Sequence, residues 1–400
     1  MVAIPSFVDP TLAAIDAAIV EKSRAEPARG YLGMSQIGKS CERELWYSFR
    51  WAVRGEFDAA SLKRFDDGFR VEDVMAARLR MVAGIELHTV NSATGDQFGV
   101  SDHGGHFSGH LDGAVLGLLQ APKTWHVWEC KAVNDDKFGK LGKLRAEHGE
   151  KATLALWDPV YYAQAIAYMH YTGMDRHYLT ATTPGGRQMD AVRTEADPVE
   201  GARIAAKAHR IITAATPPSG ISTNPAWYEC KWCPAHALCH AKAVPAVNCR
   251  TCLHATPELT GNARWSCAFH KRDLSAAEQR TGCPSHRFIP ALVSHSKPVD
   301  ADATANWVEY ETPQGKRFRN GDPAQGHYSS EELRIAAVEA LGDPQIAAFK
   351  AAGARIVAPD PEPAPNPLWD GPKQPFVNWM NRIAREPRRY VTVSYLGPNK

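Results

Sequence analysis

The sequence lacks a long apolar run: no stretch approaches the roughly 20 residues needed to cross a bilayer. It also lacks an excess of either charge. Lys and Arg number 46 against 44 Asp and Glu, a formal net charge of +2 over 400 residues. That balance excludes a polycation that coats nucleic acid through bulk charge, so any DNA contact would rest on a local basic patch. The opening stretch MVAIPSFVDPTLAAIDAAIVEKSR carries Asp9 and Asp16 and no basic segment before an apolar one. It does not read as a secretory signal, and a cytoplasmic location is expected. No internal repeat recurs at a fixed period, and no ATP-binding phosphate loop is expected.

Cysteine, by contrast, is plentiful: nine, at positions 41, 130, 230, 233, 239, 249, 252, 267 and 283. In a reducing compartment such spacing points to metal before disulfides. Cys130 stands apart and reads as a small buried hydrophobe. Hydrophobic content of 44% and charged content of 22% are those of an ordinary globular chain.

The stretch HVWECKAV, residues 126–133, reads as a buried strand, yet it carries Glu129 and Lys131. Alternation puts these two on one face, with Cys130 on the other. Enclosed charges need partners: each other, a metal ion or a phosphate. Asp112, in GHLDGAV, ends the preceding strand pattern, and a hairpin would bring it to Glu129. Upstream, Gly68 is followed four residues later by Glu72 on a predicted helix, a third carboxylate or simply an exposed glutamate. Downstream, Gln164 and Tyr168 lie one turn apart on another predicted helix. Alone, each of these pairs is commonplace.

The wider pattern runs helix, helix, strands, helix, hairpin, helix to about residue 216. It predicts an α/β core with a mixed sheet. SQIGKSCERELWYSFRW offers Ser35 or Ser40 as helix cap, SLKRFDDGFRVEDVMAARLRMVAG a second helix, and GHFSGHLDGAVLG one strand. The expected segments are an N-terminal helix and connection over 1–30, a core over 31–242, a Cys-rich module over 243–290, an accessory hairpin and helix over 291–357, and a Pro-rich linker and tail over 358–400.

Taken in order, Gly68-x-x-x-Glu72, Asp112, Glu129-x-Lys131 and Gln164-x-x-x-Tyr168 resemble the RecB-like PD-(D/E)xK nuclease superfamily. The resemblance covers roughly residues 35–240; Leu111 stands where a proline precedes the aspartate in the motif's name. It implies a restriction-endonuclease-like core in which Glu72, Asp112, Glu129 and the main-chain carbonyl of Cys130 hold Mg²⁺ or Mn²⁺. By the same resemblance Lys131 serves the attacking water, and Gln164 and Tyr168 bind DNA.

YECKWCPAHALCH holds Cys230, Cys233 and Cys239, with Cys41 far upstream. One cysteine before the core and three after it resemble the iron–sulfur branch of these nucleases, the AddB-type domain and the CRISPR-associated RecB-like exonucleases. That implies a 4Fe–4S cluster on Cys41, Cys230, Cys233 and Cys239. The competing reading is zinc at the triplet with His236 or His240. The second group, Cys249, Cys252, Cys267 and Cys283, has the spacing of a zinc site, with His254, His270 and His286 as rivals for one place. Similar Cys-rich tails accompany phage-type exonucleases. Lys271, Arg272, Arg280, Arg287, Lys316, Arg317 and Arg319, with Phe318 among them, form a candidate DNA-facing patch.

The expected function is a metal-dependent DNA exonuclease acting on single- or double-stranded ends in recombination, repair or phage DNA processing. A helicase or a single-strand-binding or annealing partner would open the duplex. A non-catalytic nucleic-acid adaptor on the same fold is the alternative.

Overall fold

The computed structural model describes residues 9–357; the expected Pro-rich linker and tail at 358–400 lie outside the described residues. Among the described residues no helix is long and apolar enough to cross a membrane. Helix α1 (Pro10–Ala25) begins where Asp9 caps two backbone amides and Pro10 sets the first turn. A two-residue strand β1 (Leu32–Gly33) leads through a 3₁₀ turn to α2 (Glu42–Phe49). Neither Ser35 nor Ser40 caps α2. Cys41 stands at its N-cap, with no side-chain cap bond. α3 (Ala59–Arg80) starts at Asp58, whose carboxylate accepts from the Ser61 amide at 2.7 Å.

The expected strand GHFSGHLDGAVLG is two strands in two sheets. After β2 (Glu86–His88) and β3 (Gly99–Asp102), β4 (Phe107–His110) pairs with β1 and β3. β5 (Gly113–Leu116) instead joins the main sheet, ordered β2-β5-β6-β7-β8. In that sheet β6 (His126–Ala132) runs parallel to β7 (Arg176–Thr182), while the other pairings, including β7 with β8 (Met189–Glu195), are antiparallel. A parallel pair needs a crossover. Here it is built by α4 (Asp135–His148), α5 (Glu150–Trp157) and α6 (Pro159–Thr172). The first two are absent from the sequence reading. α6 is bounded by the Asp158 cap and by Gly173 in the left-handed region, φ 71°. α7 (Pro198–Thr213) follows.

The Cys-rich segment contributes two short helices, α8 (Tyr228–Lys231) and α9 (His236–His240), and a small sheet of β9 (Ala255–Pro257), β10 (Trp265–Cys267) and β11 (Arg272–Leu274). It is not a separate body. Trp265, Cys249, Cys252 and Cys267 share one apolar cluster with Trp46, Phe49 and Ile166 of the core. Beyond α10 (Ala276–Thr281), a sheet of β12 (Lys297–Asp302), β13 (Trp307–Glu311) and β14 (Arg317–Asn320) packs its own cluster around Tyr310 and Phe318. A capping box of Ser329 and Glu332 starts α11 (Ser330–Ile335).

Two expectations change here. The stretch GMSQIGKS, residues 33–40, does spell the letters of a phosphate loop. Its geometry is different. The Ile37 and Lys39 amides are already bonded to the carbonyls of Met34 and Gln36. A Cβ on Gly38 would lie 2.5 Å from Val160 Cα, so Gly38 serves close packing against α6. The Ile37 and Lys39 amides are therefore not free to face an anion, as the working part of such a loop requires. The basic patch changes too. Arg287 is buried, Arg272 pairs with Glu278, and Arg317 and Arg319 pair with Glu309 across the sheet. Phe318 is core, 5% exposed, not a stacking platform.

Candidate active site

β6 is the centre of the site. Trp128 and Cys130 face α3 in one apolar cluster with Val71 and Met75. Glu129 and Lys131 face the other way, toward α6, as alternation requires. Glu129 is 3% exposed, in a place where an unpaired carboxylate costs several kcal/mol by general estimate. Its Oε1 is held twice: Lys131 Nζ donates to it, and Gln164 Nε2 donates from 2.9 Å. Its Oε2 is buried and has no partner.

Asp112 arrives from the fork between β4 and β5. The β5–β6 register pairs Gly113 with Trp128, so one residue further on Asp112 stands beside Glu129. Gly113 is needed there, since a Cβ would lie 2.6 Å from the His88 carbonyl oxygen. Asp112 Oδ2 accepts the Cys130 amide at 2.7 Å, taking the place of the strand that has ended. In a strand, the N–H and C=O of one residue point to the same side. The Glu129 carbonyl turns toward β7, where the Thr180 hydroxyl meets it at 3.3 Å. The Cys130 carbonyl therefore turns toward Asp112.

Glu72 approaches from α3, half-buried. Burial first, then Asp112, pushes its carboxyl up to about 7. Glu129 is pushed up to about 8, by burial and then by Asp112. Burial also raises Asp112, against the pull of Lys131 and the Cys130 amide. Burial lowers Lys131, but Glu129 and Asp112 outweigh it and hold the ammonium charged. These directions agree once charges are counted. Three carboxylates surround one ammonium, so the excess negative charge raises the acids while the lone cation is held.

Gln164 and Tyr168 were expected to meet DNA. Both are buried, 4% and 2% exposed, and their polar ends are turned inward. Gln164 Nε2 also reaches Tyr168 Oη at 3.1 Å, and Tyr168 donates to the His110 carbonyl at 2.7 Å. In this geometry they orient Glu129 and tie it to β4. Gly68, one turn before Glu72, would meet no protein atom with a Cβ, so packing does not demand it. Tyr161 and Thr180 are site residues that the sequence reading missed. The Tyr161 ring lies 5.2 Å from Lys131 Nζ. It sits three residues before Gln164, and extending that helical stripe backward would have found it.

The donor set fits a hard divalent cation: carboxylate oxygens, one of them buried and unpartnered, beside a main-chain carbonyl. Among the described residues, however, no three His, Cys, Asp or Glu side chains form an assembled metal-binding group. The acids are neighbours, and Lys131 Nζ is on Glu129 Oε1.

The same holds for the cysteines. Cys41, Cys230, Cys233 and Cys239 line one pocket with Arg43, His236 and His240. Four thiols there suit iron–sulfur ligation. His236 Nε2 is turned to the Pro225 carbonyl at 3.3 Å, away from a ligand role. Cys249, Cys252, Cys267 and Cys283 line a second pocket with His254, His270 and His286. His286 has both nitrogens engaged, Nδ1 by Ser330 Oγ at 2.8 Å and Nε2 by the Asn248 carbonyl at 3.0 Å. His270 Nε2 lies 3.5 Å from Cys283 Sγ.

No protein-family model matches the sequence. No curated protein sequence matches it either. Among solved structures, the chain is similar to an alkaline exonuclease (LHK-Exo) from Laribacter hongkongensis, at 18% identity and TM-score 0.32, over 50% of this chain and 90% of that one. The same enzyme in complex with dAMP gives the same values. SSO0001 is similar at 15% identity and TM-score 0.34, over 58% of this chain and 98% of that one. Backbone agreement at this level is slight, and the chemistry of the site rests on its own residues.

Proposed function

We propose that the chain is a Mg²⁺- or Mn²⁺-dependent deoxyribonuclease that hydrolyses phosphodiester bonds from DNA ends. The observation that carries this reading is the buried, unpartnered Glu129 Oε2 beside Asp112 and Glu72, with one ammonium next to it. Such an arrangement is unfavourable for a purely structural core and suited to a bound cation and a phosphate.

Glu72, Asp112, Glu129 and the Cys130 carbonyl would hold the ion, which supplies polarisation of a phosphoryl oxygen and a more acidic water. Asp112 is pre-set for this by its bond to the Cys130 amide. Glu129 is aimed by Gln164, and Gln164 by Tyr168. Lys131, held charged, stands where negative charge builds up and orients the attacking water. A 4Fe–4S cluster on Cys41, Cys230, Cys233 and Cys239 would tie the start of α2 to the segment after α7, closing the core without taking part in hydrolysis.

The test uses linear DNA labelled at either end, single- and double-stranded, beside a closed circle, with Mg²⁺ or Mn²⁺. Metal-dependent loss of label from linear DNA alone is expected, and Lys131→Ala should abolish it. Equal degradation by Lys131→Ala and the parent protein would end the reading. Tight DNA binding without degradation would favour the adaptor.

A further inference from the structure

Three arginines are buried with no carboxylate in ion-pair contact. Arg50, Arg250 and Arg287 are 4%, 2% and 3% exposed. Arg50 donates to the carbonyls of Arg250, Ala255 and Ala214. Arg287 donates to those of Asn306, Pro284 and His286. Arg250 reaches Gln279 and two carbonyls and lies 3.6 Å from the Trp51 ring centroid, and Arg50 lies 5.3 Å and 5.1 Å from those of Trp46 and Trp265. Carbonyls take up the terminal N–H groups of Arg50 and those of Arg287, while Arg50 Nε is buried without a partner, and none of these contacts cancels net charge.

Besides these rings and carbonyls, Arg50 and Arg287 share one neighbour, Cys252. Arg50 and Cys252 line one cleft. Arg287 adjoins the same cysteine: its carbonyl accepts from the Leu253 amide at 2.9 Å, and the next residue, Phe288, pairs with Cys252 in a β-bridge. The pocket's nearest carboxylate, Glu278, is taken up by Arg272 and Ser275. A backbone amide also points at sulfur, that of His270 at Cys267 Sγ from 3.5 Å.

We propose that Cys249, Cys252, Cys267 and Cys283 bind one zinc-class divalent ion as four thiolates, and that the resulting net dianion is the counter-charge of buried Arg50 and Arg287. Two positive charges and four negative ones leave two negative, and each thiol gives up its proton on binding. A centre of three cysteines and one histidine would carry a single negative charge. The sulfurs line one pocket in a spread arrangement, and binding draws them to the ~2.3 Å of a Zn–S bond. The site is independent of the nuclease reading and survives its failure.

The test uses the full chain, stripped of metal under reductant and reloaded with Zn²⁺ alone, in a Cys230→Ser/Cys233→Ser background so that the other cysteine pocket does not compete. One zinc per chain with a four-sulfur shell by X-ray absorption is expected. No stoichiometric zinc, or a shell with nitrogen from His270, overturns the proposal. Chelator competition reads the counter-charge: Arg50→Met should weaken zinc binding by about 10- to 100-fold, a typical outer-shell effect, while Arg50→Lys keeps most of it. Equal affinities for both variants overturn that half. If Arg50→Met does not fold, proton release on zinc uptake near neutral pH decides. About four protons per zinc support the dianion, and about three or fewer overturn it.

Discussion

The amide of Cys130 donates to Asp112 Oδ2 at 2.7 Å, so a side chain completes the hydrogen bonding of β6 where its neighbouring strand has stopped. One bond thus serves both the sheet and the site. The two roles separate by substitution. Asp112→Asn keeps an acceptor for the amide and should leave the urea midpoint nearly unchanged, while DNA cleavage falls by ~100-fold or more, as for loss of a charged transition-state group. Asp112→Ala strands the amide and should in addition lose about 1–3 kcal/mol of stability.

The carboxyls set a pH dependence. Glu72 and Glu129 have folded-state values near 7 and 8, against an ordinary 4.5. Between these limits the folded chain holds more protons than the unfolded one, so stability falls as pH rises. The stabilisation is complete below the ordinary value and is lost as pH climbs through 7 and 8. The melting temperature of metal-free protein should therefore drop across this window. Saturating Mg²⁺ should flatten the drop, and Mg²⁺ affinity measured by calorimetry should rise with pH over the same range. A melting temperature that rises with pH would contradict the charge arrangement.

Tyr168 decides between orienting and DNA-binding roles on α6. Tyr168→Phe removes the hydrogen bond to the His110 carbonyl and should cost about 1 kcal/mol. If the residue aims Gln164 and Glu129, kcat falls and KM for DNA stays constant. A rise in KM with constant kcat would restore the DNA-binding expectation.

Gly113 guards the fork. Gly113→Ala brings a Cβ within 2.6 Å of the His88 oxygen and 3.2 Å of Trp128. The backbone must shift, at about 1–3 kcal/mol by analogy with overpacked cores. Activity should fall with stability, although no catalytic group has been altered.

Iron tests the first cysteine pocket. Protein purified without oxygen should be brown, and Cys41→Ser or Cys239→Ser should each lose iron and lower the melting temperature. A colourless parent chain that retains iron-free stability would remove the cluster from the account.

Several of these features are legible in the sequence. Glu129-x-Lys131 on an apolar strand signals an enclosed charge pair, because alternation fixes their shared face. The ends of α6 are spelled out by Asp158, Pro159 and Gly173. Other features are hidden for physical reasons. Apolar residues continue through Leu111, 2% exposed, so nothing in the pattern marks the change of sheet at Asp112. α4 is rich in lysine, contains Gly139 and Gly142, and buries only Leu141, leaving little periodicity to read. The Cys-rich segment looks separable by composition, yet Trp265 packs into the same cluster as Phe49.

Asp112 sits at a joint rather than within a strand. The chain enters it from one sheet and leaves it into another, so a shift of one sheet against the other would act on this carboxylate. A push on the small sheet through Tyr31 or His110, whose side chains meet at 3.5 Å, thus has a short mechanical route to the acid. The residue that links the two sheets is thus also one on which their relative slip would act.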